Sequence, residues 1–311
     1  MMIAALGYGV SFGGPTLAQI NKNQLPKEAY ADSTGLPGDD FSLAGALTLF
    51  QKANNVEQFE QWINDPEQHV NNVDLNADGE VDYIRVVDQS AGADHALVLQ
   101  VPINESESQD IAVIEIAHLS KDSAIVQIIG DVNLYGEDVI VEPTQEFEQE
   151  IKKAKGPSFS EFRVYRWVMN VWMWPCVQFI YRPNYQPWVS PYYWRHYPSY
   201  WKPWKRYHWH QHWWFCYHQH QYGRYGWKAN ALRCQNVHKA YLGHRKSCAS
   251  IEARYRKHPM NRAHQKEHGH PSDQHRSNVK EKKHGQKEHQ TKGKTLKSKG
   301  QRTGGGKKGR P

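Results

Sequence analysis

The sequence has few of the features that mark a familiar class of protein. None of its 4 cysteines lies in a Cys-x-x-Cys pair, so a zinc finger has no support. No motif brings a nucleophile together with a base, and we therefore expect a protein that is not an enzyme. The most apolar stretch, residues 167–181, is interrupted by Asn170 and Pro175 and is too short to span a bilayer. These absences favour a binding or structural role without a transmembrane span.

Acidic side chains are scarce in the second half of the chain. Residues 1–156 carry 26 acidic and 8 basic side chains, whereas residues 157–311 carry 6 acidic and 31 basic ones. The net charges of the two halves are therefore −18 and +25, which together give the overall +7. The pI of about 9.0 is that of the whole chain and describes neither the acidic nor the basic half. This split indicates an acidic domain followed by a basic region that would attract polyanions.

Composition divides the chain into six parts. We predict a truncated signal peptide at 1–18, a flexible lead-in at 19–39, an acidic α+β domain at 40–145, a linker at 146–158, a Trp/Tyr/His/Pro-rich segment at 159–227 and a basic His/Lys-rich, largely disordered tail at 228–311. The fifth part is called the aromatic segment below. The end of the tail, residues 256–311, has almost nothing to bury, which is the reason to expect disorder there.

The first residues resemble the end of an export signal. Residues 3–12 form a short apolar run, and Thr-Leu-Ala at 16–18 roughly suits cleavage by signal peptidase. No lysine or arginine precedes the run, which a misplaced start codon would explain. The alternative is a buried apolar segment. Export would make the protein periplasmic or secreted.

The acidic domain shows the pattern of an α+β fold. Ser42 suits the N-cap of a helix over residues 43–50, and a second helix is expected from Val56 to Ile63. Alternating or continuously apolar runs predict strands at 83–87, 95–101, 111–117, 124–129 and 139–141. The turns between them are too short for parallel crossovers, so we expect two helices on an antiparallel meander. The aromatic segment that follows is expected to be irregular.

One loop in this domain indicates a specific chemistry. The predicted calcium ligands are the side chains of Asp74, Asn76, Asp78 and Asp82 and the backbone carbonyl of Glu80. Gly79 stands at the sixth position, where the chain must bend sharply. The twelfth position is Arg85 instead of a bidentate glutamate, and a strand follows, so an EF-hand is not expected.

The loop resembles the calcium loops of FG-GAP and integrin-type repeats, in which Asp-x-Asn-x-Asp-Gly-x-x-Asp runs into a strand. The resemblance spans about a dozen residues, so it implies the Ca²⁺ site and not the propeller fold. Without a bidentate ligand we expect weak affinity, on the order of 10⁻⁴ to 10⁻³ M, as in extracellular modules. The alternative is a polar turn that binds nothing.

The aromatic segment carries a proline every few residues. This spacing excludes long helices and central strands and favours polyproline II and edge structure. Aromatic rings between the prolines can stack on each other, on sugars or on a membrane interface. Interleaved arginine and lysine side chains add cation–π pairs.

Four motifs together resemble a broad group of uncharacterised exported proteins of Gram-negative bacteria. They are Asp-x-Asn-x-Asp-Gly at 74–79, Trp-Pro-Cys at 174–176, Trp-Val-Ser-Pro at 188–191 and Tyr-Pro-x-x-Trp-x-Pro-Trp at 197–204. The resemblance covers most of residues 40–227 and implies export, but it implies no known activity. The usual tail is Thr/Arg-rich, whereas this one is His/Lys-rich.

Histidines alternate with other residues late in the aromatic segment. The five are His208, His210, His212, His218 and His220. On an extended chain, imidazoles two residues apart point the same way, so they could share Zn²⁺, Cu²⁺ or Ni²⁺. The alternative is a compositional drift toward histidine in an exposed region.

All the cysteines lie in the second half of the chain. They are Cys176, Cys216, Cys234 and Cys248. In an exported protein an even number of cysteines predicts up to two disulfides, with Cys234 and Cys248 as the nearest pair.

The sequence thus predicts an exported or envelope-associated protein that is not an enzyme. A calcium-stabilised domain would carry a cationic aromatic arm that binds an anionic surface polymer or lipid head groups. The alternative is a nucleic-acid-binding protein that uses the same arm, because aromatic stacking with Lys and Arg also describes single-strand binding.

Overall fold

The computed structural model describes residues 33–151, 161–220 and 227–259. The described residues as far as Arg256 belong to one compact unit. The predicted signal peptide, residues 19–32 of the lead-in, residues 152–158 of the linker and residues 260–311 of the tail lie outside the described residues. Among the described helices, none has the length and apolar character needed to cross a membrane.

Two capped helices open the fold. The helix α1 (Leu43–Lys52) begins at Ser42, whose hydroxyl accepts a hydrogen bond from the Gly45 amide at 3.0 Å. The helix α2 (Val56–Ile63) begins at Asn55, whose side chain accepts from the Gln58 amide at 2.7 Å. Both N-caps satisfy an amide that has no partner within its helix, and both helices were predicted.

An antiparallel sheet follows. Its strands are β1 (Arg85–Ala91), β2 (Asp94–Pro102), β3 (Ser108–Ser120), β4 (Ser123–Gly130), β5 (Ile140–Glu142) and β8 (Trp227–Ala229), in that spatial order. A short helix, α3 (Val132–Tyr135), lies between β4 and β5. The first five strands confirm the predicted α+β meander. The sixth strand, β8, was not predicted and pairs with β5.

Helices cover both faces of the sheet. Ala112, Ile114 and Ile116 of β3 belong to the core that also contains α1, α2, α4 (Pro175–Ile180) and α7 (Ala249–Tyr255). Val113 and Ala117 point to the opposite face, where α6 (Gln235–Leu242) buries Val237 and Tyr241. This two-residue alternation is what a strand buried on both sides requires.

The later parts of the chain differ from expectation. The aromatic segment is not a free arm, because α4 enters the main core and a longer helix, α5 (Trp209–His220), contacts α1. The disordered tail predicted from residue 228 is wrong for residues 228–259, which include α6 and α7. Their apolar side chains, such as Val237 and Ile251, are buried, which stabilises order in an otherwise basic stretch.

Two shorter predictions are also corrected. The strand β6 (Thr144–Ile151) pairs with β7 (Glu161–Val168) as a separate antiparallel ribbon, so residues 146–151 are not a linker. The end of the lead-in is ordered as well, since Pro37–Asp40 form a 3₁₀-helix and Leu36 is 2% exposed.

Candidate functional site: an Asp-rich loop beside a cationic aromatic surface

In the Asp-rich loop, residues 74–82, side chains accept hydrogen bonds from the loop's own backbone amides. Asp74 accepts hydrogen bonds from the amides of Ala77, Asp78 and Gly79 at 2.7, 3.2 and 3.0 Å. Asn76 Oδ1 accepts from the Asp78 amide at 2.8 Å. The chain turns through left-handed conformations at Ala77 and Gly79, with φ of 64° and 86°. The loop therefore brings three of the five predicted calcium ligands onto one tight turn.

Asp82 lies under this turn and completes the acidic group. It is 8% exposed, and its Oδ2 accepts from the Leu75 amide at 2.7 Å. Burial raises the pKa of Asp82 to about 7, and the nearby carboxylates of Asp74 and Asp78 add to this rise. A carboxylate that is costly to ionise because of burial and like charges would be stabilised by a bound cation.

The Asn76 side chain lies between two of the loop's carboxylates. Its amide nitrogen donates to Asp78 Oδ2 at 2.9 Å and to Asp82 Oδ1 at 3.1 Å, so partial positive charge lies between the two carboxylates. Among the residues that the structure describes, no three histidine, cysteine or carboxylate side chains form a group that could hold a metal ion. The carboxylates of Asp74, Asp78 and Asp82 and the carbonyl of Glu80 are oxygen donors of the kind that Ca²⁺ prefers, whereas Asn76 directs its amide nitrogen to two of these carboxylates and its oxygen to the Asp78 amide.

The aromatic segment pairs with this loop as a strand would. The Val81 amide donates to the Trp204 carbonyl at 2.8 Å, and the Arg206 amide donates to the Gly79 carbonyl at 3.3 Å. These bonds place Glu80 opposite Lys205 in an antiparallel bridge. In such a bridge the amide and carbonyl of Glu80 point away from Lys205, and its amide donates to Asp78 Oδ1 at 2.8 Å. The backbone of Glu80 thus faces the loop, as the predicted carbonyl ligand would have to.

The Trp-Val-Ser-Pro motif holds the segment to the domain through a buried carboxylate. Glu60 of α2 is 1% exposed, yet Trp188 Nε1 donates to it at 3.0 Å and Ser190 Oγ at 2.7 Å. The Tyr83 hydroxyl and the Val86 amide also donate to it, at 2.8 and 2.9 Å. Burial raises the pKa of Glu60, and these hydrogen bonds oppose the rise. Two of these four donors, Trp188 and Ser190, belong to the aromatic segment, so the Glu60 carboxylate joins the segment to α2 and β1.

Aromatic packing around Tyr83 buries some side chains of the segment and leaves others exposed. The rings of Tyr192, Tyr197 and Trp201 lie 5.7, 5.8 and 5.2 Å from the Tyr83 ring, centroid to centroid. Trp201 is only 7% exposed, so it is a core residue and not a side chain that could insert into a membrane. The exposed side chains of this stretch include Tyr193, Arg195, Tyr200, Lys202 and Lys205, and we call these five the cationic surface.

Two arginines and one histidine of the tail pair with acidic side chains of the protein. Arg233 pairs with Glu142 at 2.7 Å, and Arg245 pairs with the fully buried side chain of Asp131. His238 Nδ1 lies 2.6 Å from a carboxylate oxygen of Glu115, which is also buried. Arg233 and Arg245 of the tail therefore neutralise acidic side chains of the protein itself.

The predicted histidine cluster has a different geometry. Residues 209–220 are helical, so side chains two residues apart diverge. His212 and His220 lie on the buried side with exposures of 2% and 5%, whereas His218 is exposed. His208 and His210 have their Nδ1 atoms 3.2 Å apart. The same-facing array of five imidazoles is therefore wrong, and a transition metal at these residues stays a prediction.

The cysteines are free, and all four are buried. Cys234 Sγ lies 3.7 Å from the Glu115 carbonyl, whereas the Cys248 amide donates to Gln109 at 2.9 Å. Gln109 and Glu115 are six residues apart on β3, which corresponds to about 20 Å of strand. The predicted pairing of Cys234 with Cys248 is therefore wrong, because disulfides join Cα atoms at most about 7 Å apart. Cys176 and Cys216 likewise carry free thiols.

Sequence reasoning missed Glu60 as the organising residue. It lies on the inward face of α2 with Val56, Phe59 and Ile63, at helical spacing. A glutamate in that position requires donors from elsewhere in the fold, and this requirement was the available signal. No family model matches the chain, and no curated protein or solved structure matches it either.

Proposed function

We propose that this chain is an exported, envelope-associated or secreted protein, not an enzyme, that binds anionic surface polymers or lipid head groups through its cationic surface. The Asp-rich loop would hold Ca²⁺ and stabilise the strand that supports this surface. Export rests on the sequence alone, whereas the binding surface is supported by the geometry described above.

The observation that carries this proposal is the distribution of charge after folding. Within the described residues, no ion pair engages Arg195, Lys202 or Lys205, and all three are exposed. Tyr193 and Tyr200, in the same stretch of the chain, are 54% and 53% exposed. Cationic side chains supply attraction to phosphate or carboxylate groups, and exposed tyrosines suit the boundary between water and lipid or sugar.

Calcium would act on the same surface from the loop side. The loop carries carboxylates at Asp74, Asp78, Glu80 and Asp82, and Lys205 lies opposite one of them. A bound divalent cation would reduce the negative charge that otherwise repels an anionic partner. It would also fix residues 79–81, to which the aromatic segment is hydrogen-bonded.

Vesicle binding tests the proposal. We expect the protein to bind vesicles containing anionic phospholipid, or purified lipopolysaccharide, and to bind neutral vesicles much more weakly. Replacing Tyr193 and Tyr200 with alanine should remove the part of the binding that survives high salt, because interfacial tyrosines do not depend on charge. Phe147→Ala, on the β6–β7 ribbon, is the control, since Phe147 is 58% exposed but lies outside the cationic surface.

Two outcomes would overturn the proposal. Equal affinity for neutral and anionic vesicles would show that charge does not drive binding. A strong preference for single-stranded nucleic acid over both would favour the alternative expected from the same residues.

A further inference from the structure

A cavity of about 260 Å³ lies between the 3₁₀-helix, α1, β5 and α5. Its walls include four large aromatic side chains, those of Phe41, Tyr135, Trp209 and Trp213. A cavity of about 150 Å³ is enough to enclose benzene, so this one can hold a single aromatic ring with a short side chain. It is only partly enclosed, and its lining includes the exposed residue Ser33.

The inner end of the cavity is formed by His212 and Cys216, and it is electrically neutral. Burial lowers the pKa of His212 to about 3 and raises the pKa of Cys216 to about 12. The Cys216 thiol donates to the His69 carbonyl at 3.1 Å. Near neutral pH this end therefore accepts an uncharged, apolar group and disfavours an ion.

The outer end of the cavity carries negative charge. The half-buried carboxylate of Asp39 is held by the hydroxyls of Ser33 and Thr34, at 2.6 and 2.9 Å. An adjoining cleft of about 190 Å³ is lined by Asp39, Asp40 and Asp74. Arg206 offsets part of this charge, since it pairs with Asp40 at 3.2 Å. The remaining excess is acidic, so a positively charged group is favoured at the mouth.

We propose that this cavity binds a small arylalkyl amine, with the aromatic ring among Phe41, Trp209 and Trp213 and the ammonium group at Asp39. The ring would bury its apolar area against aromatic walls, and the ammonium would complement the carboxylate while staying in contact with water. This site is separate from the cationic surface and takes a ligand of the opposite charge.

Three probes of similar shape test the charge preference in the full-length protein. 2-Phenylethylamine is cationic, 3-phenylpropionate is anionic and ethylbenzene is neutral. We expect the amine to bind at least about tenfold more tightly than the acid, as followed by tryptophan fluorescence and by the rise in melting temperature. Asp39→Asn should reduce that ratio severalfold. Asp122→Asn, at the exposed β3–β4 turn, should leave the ratio unchanged.

Two further measurements locate the binding. Val139 lines the cavity, so Val139→Phe should fill it and abolish binding of the amine, whereas Val189→Phe, at a residue that is 63% exposed, should not. In the unmodified protein the amine should slow alkylation of Cys216 but not of Cys234 or Cys248, because these two cysteines contact β3 and do not line the cavity. This protection needs no variant and so does not depend on whether Val139→Phe folds.

Any of three results would overturn the proposal. The first is equal binding of the amine and the acid, which would show that Asp39 does not select for a positively charged ligand. The second is full binding of the amine by a folded Val139→Phe protein. The third is saturation by the amine without any protection of Cys216.

Discussion

Removal of the Ser190 hydroxyl is the sharpest test of how the aromatic segment is attached. Ser190→Ala deletes one of four donors to the buried carboxylate of Glu60, together with the acceptor of a 3.3 Å bond from the Tyr192 amide, and changes the side-chain volume little. A hydrogen bond to a charged group contributes about 1.5–3 kcal/mol, and Glu60 is only 1% exposed, so bulk solvent does not reach the carboxylate. For a domain of this size the loss corresponds to a fall in melting temperature of roughly 3–12 °C.

The control is Ser199→Ala in the same segment. Ser199 is exposed, and the change should stay within about 0.5 kcal/mol, as for most surface substitutions. Both variants can be compared by urea unfolding monitored by tryptophan fluorescence. If Ser190→Ala and Ser199→Ala unfold at the same urea concentration, the Glu60 network does not hold the segment.

The pH dependence of the Ser190→Ala effect follows from the state of Glu60. Because burial raises the pKa of Glu60 in the folded state, the ionised form is the costly one. Loss of a donor raises the pKa further, so the destabilisation should be full above the folded pKa and should shrink as the pH falls below it. A destabilisation that grows toward acidic pH would contradict this assignment.

Three other outcomes are expected. Millimolar Ca²⁺ should raise the melting temperature, and Asp78→Ala should abolish this rise. The rise should be larger at pH 8 than at pH 6, because burial raises the pKa of Asp82 to about 7. A melting temperature that does not change with Ca²⁺ would show that the loop is only a turn. Residues 40–145 should not fold alone, since α4 and Ile251 belong to the same core, and cooperative unfolding of that fragment would refute this. All four thiols should react with a thiol reagent in urea but only slowly in the native protein. If fewer than four thiols react in urea, the protein contains a disulfide.

The first half of the fold was predictable because its signals are local. Ser42 and Asn55 are good N-caps, and apolar alternation with short turns leaves an antiparallel meander as the simplest arrangement. The turn of the Asp-rich loop was predictable for the same reason. Its hydrogen bonds run mostly between residues two to five apart, as from Gly79 to Asp74.

The second half was not predictable in this way because its contacts are distant. Trp188 meets Glu60 across 128 residues, and nothing near Trp188 in sequence reveals that partner. In α5 the alternating histidines suggested an extended chain, although the buried residues His212, Cys216 and His220 recur every four positions. The tail residues Arg233 and Arg245 were counted as free charge because their carboxylate partners lie on strands far away.

The central claim, that the cationic surface binds an anionic partner, is tested most directly by two pairs of lysine substitutions measured side by side. A lysine near an anionic bilayer contributes about 1 kcal/mol, so Lys202→Ala with Lys205→Ala should weaken vesicle binding roughly 30-fold at about 0.1 M salt. At about 1 M salt, where screening acts within about 3 Å, the difference should nearly vanish. Residues 260–311 carry 15 basic and 4 acidic side chains, so Lys292→Ala with Lys294→Ala is the matched control. A clearly larger loss for the first pair is the predicted result, and equal losses for the two pairs would contradict the claim.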